Sequence, residues 1–279
     1  MPLSINTNIA SMTAQRSFLN SNQALETAFE RLSTGKRVNS AVDDAAGLAI
    51  GKDLESRVRG LNQAVRNVND GISMVQIVEG SYDEVTSILQ RMRDLAVQSS
   101  NGALTTTERT YLDSEATKLA TAINSVMNQA VFGNVDMVKT SNTSTTVIIH
   151  SGADASDTIE VTLSDNTADD ATGLGVHDAG VVLGTLTGAT DAITTIDTAL
   201  SRVASRRAAL GAAQSQLEST VRNLANVAEN TSAAAGRIMD TDYAAETANL
   251  TKAQILQQAA TSILAQANAQ PQAVLALLQ

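Results

Sequence analysis

Residues 58–96 read VRGLNQAVRNVNDGISMVQIVEGSYDEVTSILQRMRDLA. Val58, Leu61, Val65, Val68, Ile72, Val75, Val78, Tyr82, Val85, Leu89, Met92 and Ala96 recur here at steps of 3, 4, 3, 4, 3, 3, 4, 3, 4, 3 and 4. Alternating steps of three and four keep one apolar seam on one side of a helix, and the paired threes near Val78 are a stammer. The pattern predicts a helix from about 57 to 100, spanning roughly 65 Å at 1.5 Å per residue. Asn101-Gly102 stops it, as residues tolerant of left-handed backbone do.

Outward from this stretch, Leu112, Ala116, Leu119, Ile123, Val126 and Ala130 form a second seam, with a helix start near Thr107-Glu108. A third runs through Ile193, Ile196, Leu200, Val203, Arg207, Leu210, Gln214, Leu217, Val221, Leu224 and Ala228. Arg207 and Gln214 are polar intrusions of the kind that set register at some cost in stability. Between the second and third seams, TTVIIH (145–150) and TIEVTL (158–163) are β-branched runs, read as a β-hairpin. Residues 166–188 read as loop with short strands. The fold class is mainly α: a long, antiparallel, coiled-coil-like helical rod with a small β-hairpin insert and helical terminal segments. The organisation expected is 1–44, then 45–190 with an acidic insert at about 140–188, then the return helix at 191–235, then 236–279.

Composition supports this. The chain has 279 residues, 43% apolar, with six aromatics, no Trp and Pro only at positions 2 and 271. Such a chain suits lengthwise helix packing better than a globule around a pocket. The net charge of −10 sits almost wholly in the insert, since Thr140 to Ser201 holds nine acids and no base. An acidic chain repels phosphate backbones, so no nucleic-acid partner is expected. Neither residues 1–15 nor 253–279 carry a charged side chain, which suggests segments that become buried. No apolar run reaches the ~20 residues of a membrane helix, and the N-terminus, with no basic region followed by an apolar one, does not read as a cleaved signal peptide.

Candidate chemistry is sparse. There is no Cys, and His150 and His177 are the only imidazoles, so thiolate sites and a His-rich metal site are excluded. Gly173-Leu174-Gly175 lacks the third glycine of a dinucleotide loop. Asp240-Thr241-Asp242 reads as a helix cap rather than a calcium loop, and Asp43-Asp44 as a turn entering a helix at Ala45-Ala46-Gly47-Leu48. No catalytic residue, cofactor or metal is expected, and no enzyme.

Four blocks carry a resemblance. LSINTNIASMTAQ (3–15), LSTGKRVNSAVDDAAGLAI (32–50), LQRMRDLAVQSSNG (89–102) and ILAQANAQPQAVLALLQ (263–279) resemble, in order, segments of bacterial flagellins. The resemblance covers about 1–135 and 190–279. Departures are Phe132-Gly133-Asn134 at a turn, Gln279 at the end, and an insert too short for large outer domains. The resemblance implies an extracellular filament subunit, exported unfolded without signal cleavage. Its segments 1–44 and 236–279 would be inner-core helices, with assembly residues Ile5, Ile9, Leu256, Ile263, Leu264, Val274, Leu277 and Leu278. Implied partners are further copies of the chain, an export chaperone at the C-terminal segment, and filament cap and hook-junction proteins. The segment around Leu89 also resembles the flagellin site for Toll-like receptor 5; the matching residues are Gln90, Arg91, Leu95, Gln98 and Glu115, with Arg91 as planar donor and Leu95 as apolar anchor. Two alternatives are a hook–filament junction protein and, with no H-E-x-x-H present, the far weaker case of an enzymatic insert.

Overall fold

The computed structural model describes residues 7–133, 135–137, 145–163, 174–176 and 181–277. It contains helices α1 (Ile9–Thr34), α2 (Ala45–Ser99) and α3 (Thr106–Asn128), strands β1 (Val131–Phe132), β2 (Val135–Asp136), β3 (Thr145–His150) and β4 (Thr158–Leu163), then α4 (Leu186–Met239) and α5 (Tyr243–Leu277). The chain divides into two compact units, residues 59–228 and residues 1–58 with 229–279. Most of the expected 166–188 loop lies outside the described residues.

In the 59–228 unit, α2 and α4 run antiparallel. Arg93 on α2 bonds Asp197 on α4 at 2.6 Å, and Asp83 bonds Arg207 at 3.2 Å, so α4 descends as α2 rises. The seam residues Leu61, Val68, Val75, Tyr82, Leu89 and Met92 are all buried, as are Ile196, Val203, Leu210, Leu217 and Leu224 from the facing helix. The polar intrusion Arg207 reaches both Asp83 and, at 3.9 Å, Glu79. It does so half-exposed, where its guanidinium stays hydrated.

In the second seam Ala116, Ile123 and Ala130 are buried and Leu112, Leu119 and Val126 pack half-buried against the same core, with Ala120 and Met127 buried beside them. Thr105 opens α3 with a full capping box, its hydroxyl accepting from the Glu108 N–H while the Glu108 carboxylate accepts from the Thr105 N–H. The turn between α2 and α3 is closed by Arg109, whose guanidinium donates to the Ser99 and Asn101 carbonyls at 2.9 and 2.8 Å. The Ser99 carbonyl is one that the end of α2 leaves without an intrahelical donor, and the Asn101 carbonyl, beyond the helix, also accepts from the Leu104 N–H.

The insert is the expected antiparallel hairpin, with Thr145 paired to Leu163 through His150 to Thr158. It lies on α2: the Ile149 side chain sits over Gly71, where a Cβ would collide with it, and Val147 and Val161 line the same contact with Met74 and Val75. Of the Phe132-Gly133-Asn134 departure, Phe132 closes β1 and Gly133 follows it at φ 61°, while Asn134 lies outside the described residues. A left-handed residue there favours glycine.

The unit of residues 1–58 and 229–279 holds the beginning of α2 and the end of α4. Both helices are longer than their apolar periodicity indicates, α2 starting at Ala45 instead of about 57. Asp44 caps its first turn, accepting from the Gly47 N–H at 2.8 Å. The helix then meets α4 through Gly51, with Met239 filling the space a Cβ would take. Half-buried Leu54 carries the seam on below Val58 to the buried Gly51 and Gly47, in steps of 4, 3 and 4, so the apolar series fades into glycine there.

The rest of this unit is an antiparallel pair of α1 and α5. Ser11, Ala14, Phe18, Ser21, Leu25, Ala28 and Leu32 line one side, and Glu246, Leu250, Ala253, Gln257, Ala260, Leu264 and Ala267 the other. Both series step by alternating threes and fours, and all fourteen are buried or half-buried. With alanine at most of the fully buried positions, the two backbones approach closely.

Candidate assembly and recognition surfaces

Side-chain hydrogen bonds tie α1 to α5. The Asn8 amide donates to the Ala267 carbonyl at 2.7 Å, the Ser11 hydroxyl to Asn268 Oδ1 at 2.8 Å, and the Gln257 amide to Asn22 Oδ1 at 2.5 Å. Where the pair joins the rest of the unit, Gly35 leaves α1 at φ 71°, with its N–H on the Arg31 carbonyl. Its own carbonyl accepts from the Thr241 N–H at 3.0 Å, and the Arg37 N–H donates to the Met239 carbonyl at 2.7 Å. Arg31 lies 3.8 Å from Asp43 and 3.9 Å from Glu246. Asp43 accepts bonds from the Ser40 N–H and hydroxyl and from the Asn39 N–H. These bonds, Ser40's backbone N–H first, hold its carboxyl below the ordinary 3.8, with Arg31 adding to the effect. Asp242 caps α5 by accepting from the Ala244 and Ala245 N–H groups, the role expected for that acidic pair.

The pairing of α1 and α5 consumes small residues and leaves large ones outside. Ile9 is 69% exposed and Phe29 65% exposed, and Met12, Leu19, Ile255, Leu256 and Ile263 are exposed with them. Of the assembly residues expected, Ile9, Leu256 and Ile263 therefore face outward. Leu264 is half-buried in the α1–α5 seam and serves the pair itself. Val274 and Leu277 fall in the last turns of α5, beyond the described side chains, and Ile5 and Leu278 lie outside the described residues.

The recognition candidates lie on α2 and α3. Arg91 Nη2 meets Glu115 Oε1 at 2.7 Å, and Nε meets the same oxygen at 3.1 Å. Both side chains remain solvent-accessible, at 56% and 43%. Gln90 and Gln98 are exposed. Leu95 is not the surface anchor its match implies: it is 1% exposed, packed inside with Met92 and Ala96. The reason is that α2 borders two helices, α3 through Arg91 and α4 through Arg93, so its apolar stripe is wider than one seam. Leu95 sits in that widened stripe. Arg109, the buried closer of the α2–α3 turn, escaped the sequence because its partners are backbone carbonyls; the buried Arg of a T-x-x-E-R start is its only trace.

Among the described residues no group of three His, Asp or Glu could hold a metal ion. No helix is long and apolar enough to cross a membrane.

Known proteins match this chain throughout. The model of the bacterial flagellin N-terminal helical region matches residues 5–143, and that of the C-terminal helical region residues 193–278. A flagellin of Halalkalibacterium halodurans is 43% identical over 276 residues, covering 99% of each chain. Flagellin B of Vibrio cholerae is 34% identical across the whole of both chains, over 375 aligned positions against 279 residues here. Among solved structures, a putative flagellar hook-associated protein from Vibrio parahaemolyticus superposes with a TM-score of 0.60 over 71% of this chain and all of its own, at 15% identity, a likeness of fold alone. With both helical regions matched in order and a full-length relative at 43% identity, the chain belongs to the bacterial flagellin family, the non-enzymatic structural subunits of the extracellular flagellar filament.

Proposed function

We propose that the α1–α5 pair is the surface through which copies of this chain pack together at the core of the filament, with Ile5, Ile9, Leu256, Ile263, Val274, Leu277 and Leu278 at the contacts. The observation that carries this is the apolar side chains left outside a pair that is itself closed by alanine. Burying a large aliphatic or aromatic side chain contributes about 1.5–3 kcal/mol, and a second copy offers these a dry partner. The charge-free stretches 1–15 and 253–279 allow such burial without stranding an ion. An export chaperone at the C-terminal segment, and cap and hook-junction proteins at the filament ends, belong to the same proposal. Deleting residues 253–279 should abolish polymerisation while leaving the α2–α4 helices intact by circular dichroism. Normal filaments in the electron microscope would overturn it.

A second reading is supported by Arg91 and Glu115, an exposed charge pair at the positions that match the Toll-like receptor 5 site. The Arg91 fork keeps donors free for a partner, and Gln90 and Gln98 add polar groups beside it. Leu95 contributes by fixing α2 from within. Arg91→Ala should lower signalling in a receptor reporter assay by about thirtyfold, a hot-spot-sized loss, with helicity unchanged. Equal signalling from the variant and the parent would remove Arg91 from the site.

A further inference from the structure

The two outer faces of the α1–α5 pair are different from each other, and complementary. On α1, Met12, Leu19, Glu26 and Phe29 each follow a seam residue by one position. One residue is a rotation of about 100°, so all four turn to the same flank. On α5, Lys252, Leu256 and Ile263 each precede a seam residue by one position and turn the other way. In an antiparallel pair, positions rotated in the same sense on the two helices share a flank. The α1 set and the α5 set therefore occupy opposite flanks of the pair.

Their charges differ in sign. The flank bearing Phe29 carries Glu26, with Glu30 at its edge, and the three line one shallow hollow. The flank bearing Leu256 carries Lys252, which lines a hollow with Ile255 and Leu256. Lys252 is the last charged residue of the sequence. Among the described residues none makes an ion pair with Glu26, Glu30 or Lys252, while the neighbouring Arg31 is engaged by Asp43 and Glu246.

We infer that the Phe29 flank of one copy docks on the Leu256 flank of the next, with Glu26 and Glu30 meeting Lys252 across the contact. This rests on the assembly reading above and specifies it. An aromatic and two acids on one side meet aliphatics and a base on the other. Neither flank complements itself, so the contact is heterologous and leaves a free flank at each end of any string of copies, the condition for an open-ended polymer. The charge pair sits at the rim of an apolar contact, where it orients the incoming copy and accelerates productive encounter.

Glu26→Lys and Lys252→Glu should each raise the concentration needed for filament growth roughly three- to tenfold, and the double reversal should return it to within about twofold of the parent. A double variant no better than the worse single one would overturn the pairing. A second measurement uses the absence of Cys. Filaments of a Glu26→Cys, Lys252→Cys variant, oxidised and run on a non-reducing gel, should give a ladder of cross-linked copies, because opposite flanks cannot bridge within one copy. Monomer bands alone from intact filaments would overturn the inference. The deletion of 253–279 separates the two levels: if it blocks assembly while reversal and cross-linking fail, only this pairing is wrong; if it assembles, the assembly reading itself falls.

Discussion

Arg109 closes the C-terminus of α2 from the next helix, donating to the last α2 carbonyl, that of Ser99, and to the Asn101 carbonyl in the turn. Asp43 does the corresponding work for the 35–44 turn with three accepted bonds, and there a test is direct. Its native carboxyl titrates below the ordinary 3.8, so the native state favours the ionised form. The stability this contributes is present above that ordinary value and is lost as pH falls through the lower native one. Asp43→Asn should therefore be less stable than the parent at pH 7, with the gap closing in acid below 3.8. Thermal unfolding followed by circular dichroism at both pH values checks it, and a gap that persists unchanged in acid would refute it. At this scale legibility in the sequence followed distance. Asp44 and Asp242 act within three residues of themselves, and both read correctly as helix-entry residues. Arg109 acts on carbonyls eight and ten residues back, around a turn, and Leu95 on a neighbour whose presence no local pattern reports.

At the scale of elements, periodicity is as informative as the side chains that carry it are large. The β3–β4 hairpin agrees with its expected bounds residue for residue, because β-branched runs flanking SGADASD permit little else. The middle of α2 and of α4 agree for the same reason. The first turns of α2 put Gly47 and Gly51 at the buried seam positions, so the apolar series fades there. The seam makes a quantitative forecast. Leu89 is fully buried between its neighbours, so Leu89→Ala should lower the unfolding free energy by about 2–5 kcal/mol. The exposed Gln90, one position on, should change it by no more than about 0.5 kcal/mol when replaced by Ala. Urea titrations with an unchanged slope would establish both, since a changed slope signals a different denatured state.

For the molecule as a whole, the distribution of charge says where contact with other copies is tolerated. The net negative charge comes from residues 140–201, and the stretches 1–15 and 253–279, proposed to pack against other copies, carry no charged side chain. The candidate surfaces were partly legible on that account: the uncharged ends and the four resembling blocks marked the regions. The assignment of Leu264 to the pair and of Ile263 to its outside needed the rotation of α5 about its axis. One further feature bears on how the chain finds a single native alignment. A heptad seam fits its partner again after every seven residues, so apolar contact by itself is a ruler without numbers. Arg93–Asp197 and Asp83–Arg207 stand ten residues apart on each helix, and ten is not a multiple of seven. A slip by one repeat would restore the greasy fit yet break both ties together, and the stammer near Val78 would fall out of phase as well. The two ion pairs thus act as index marks, worth little as adhesive at their exposed positions, and useful because they can be satisfied in one alignment only.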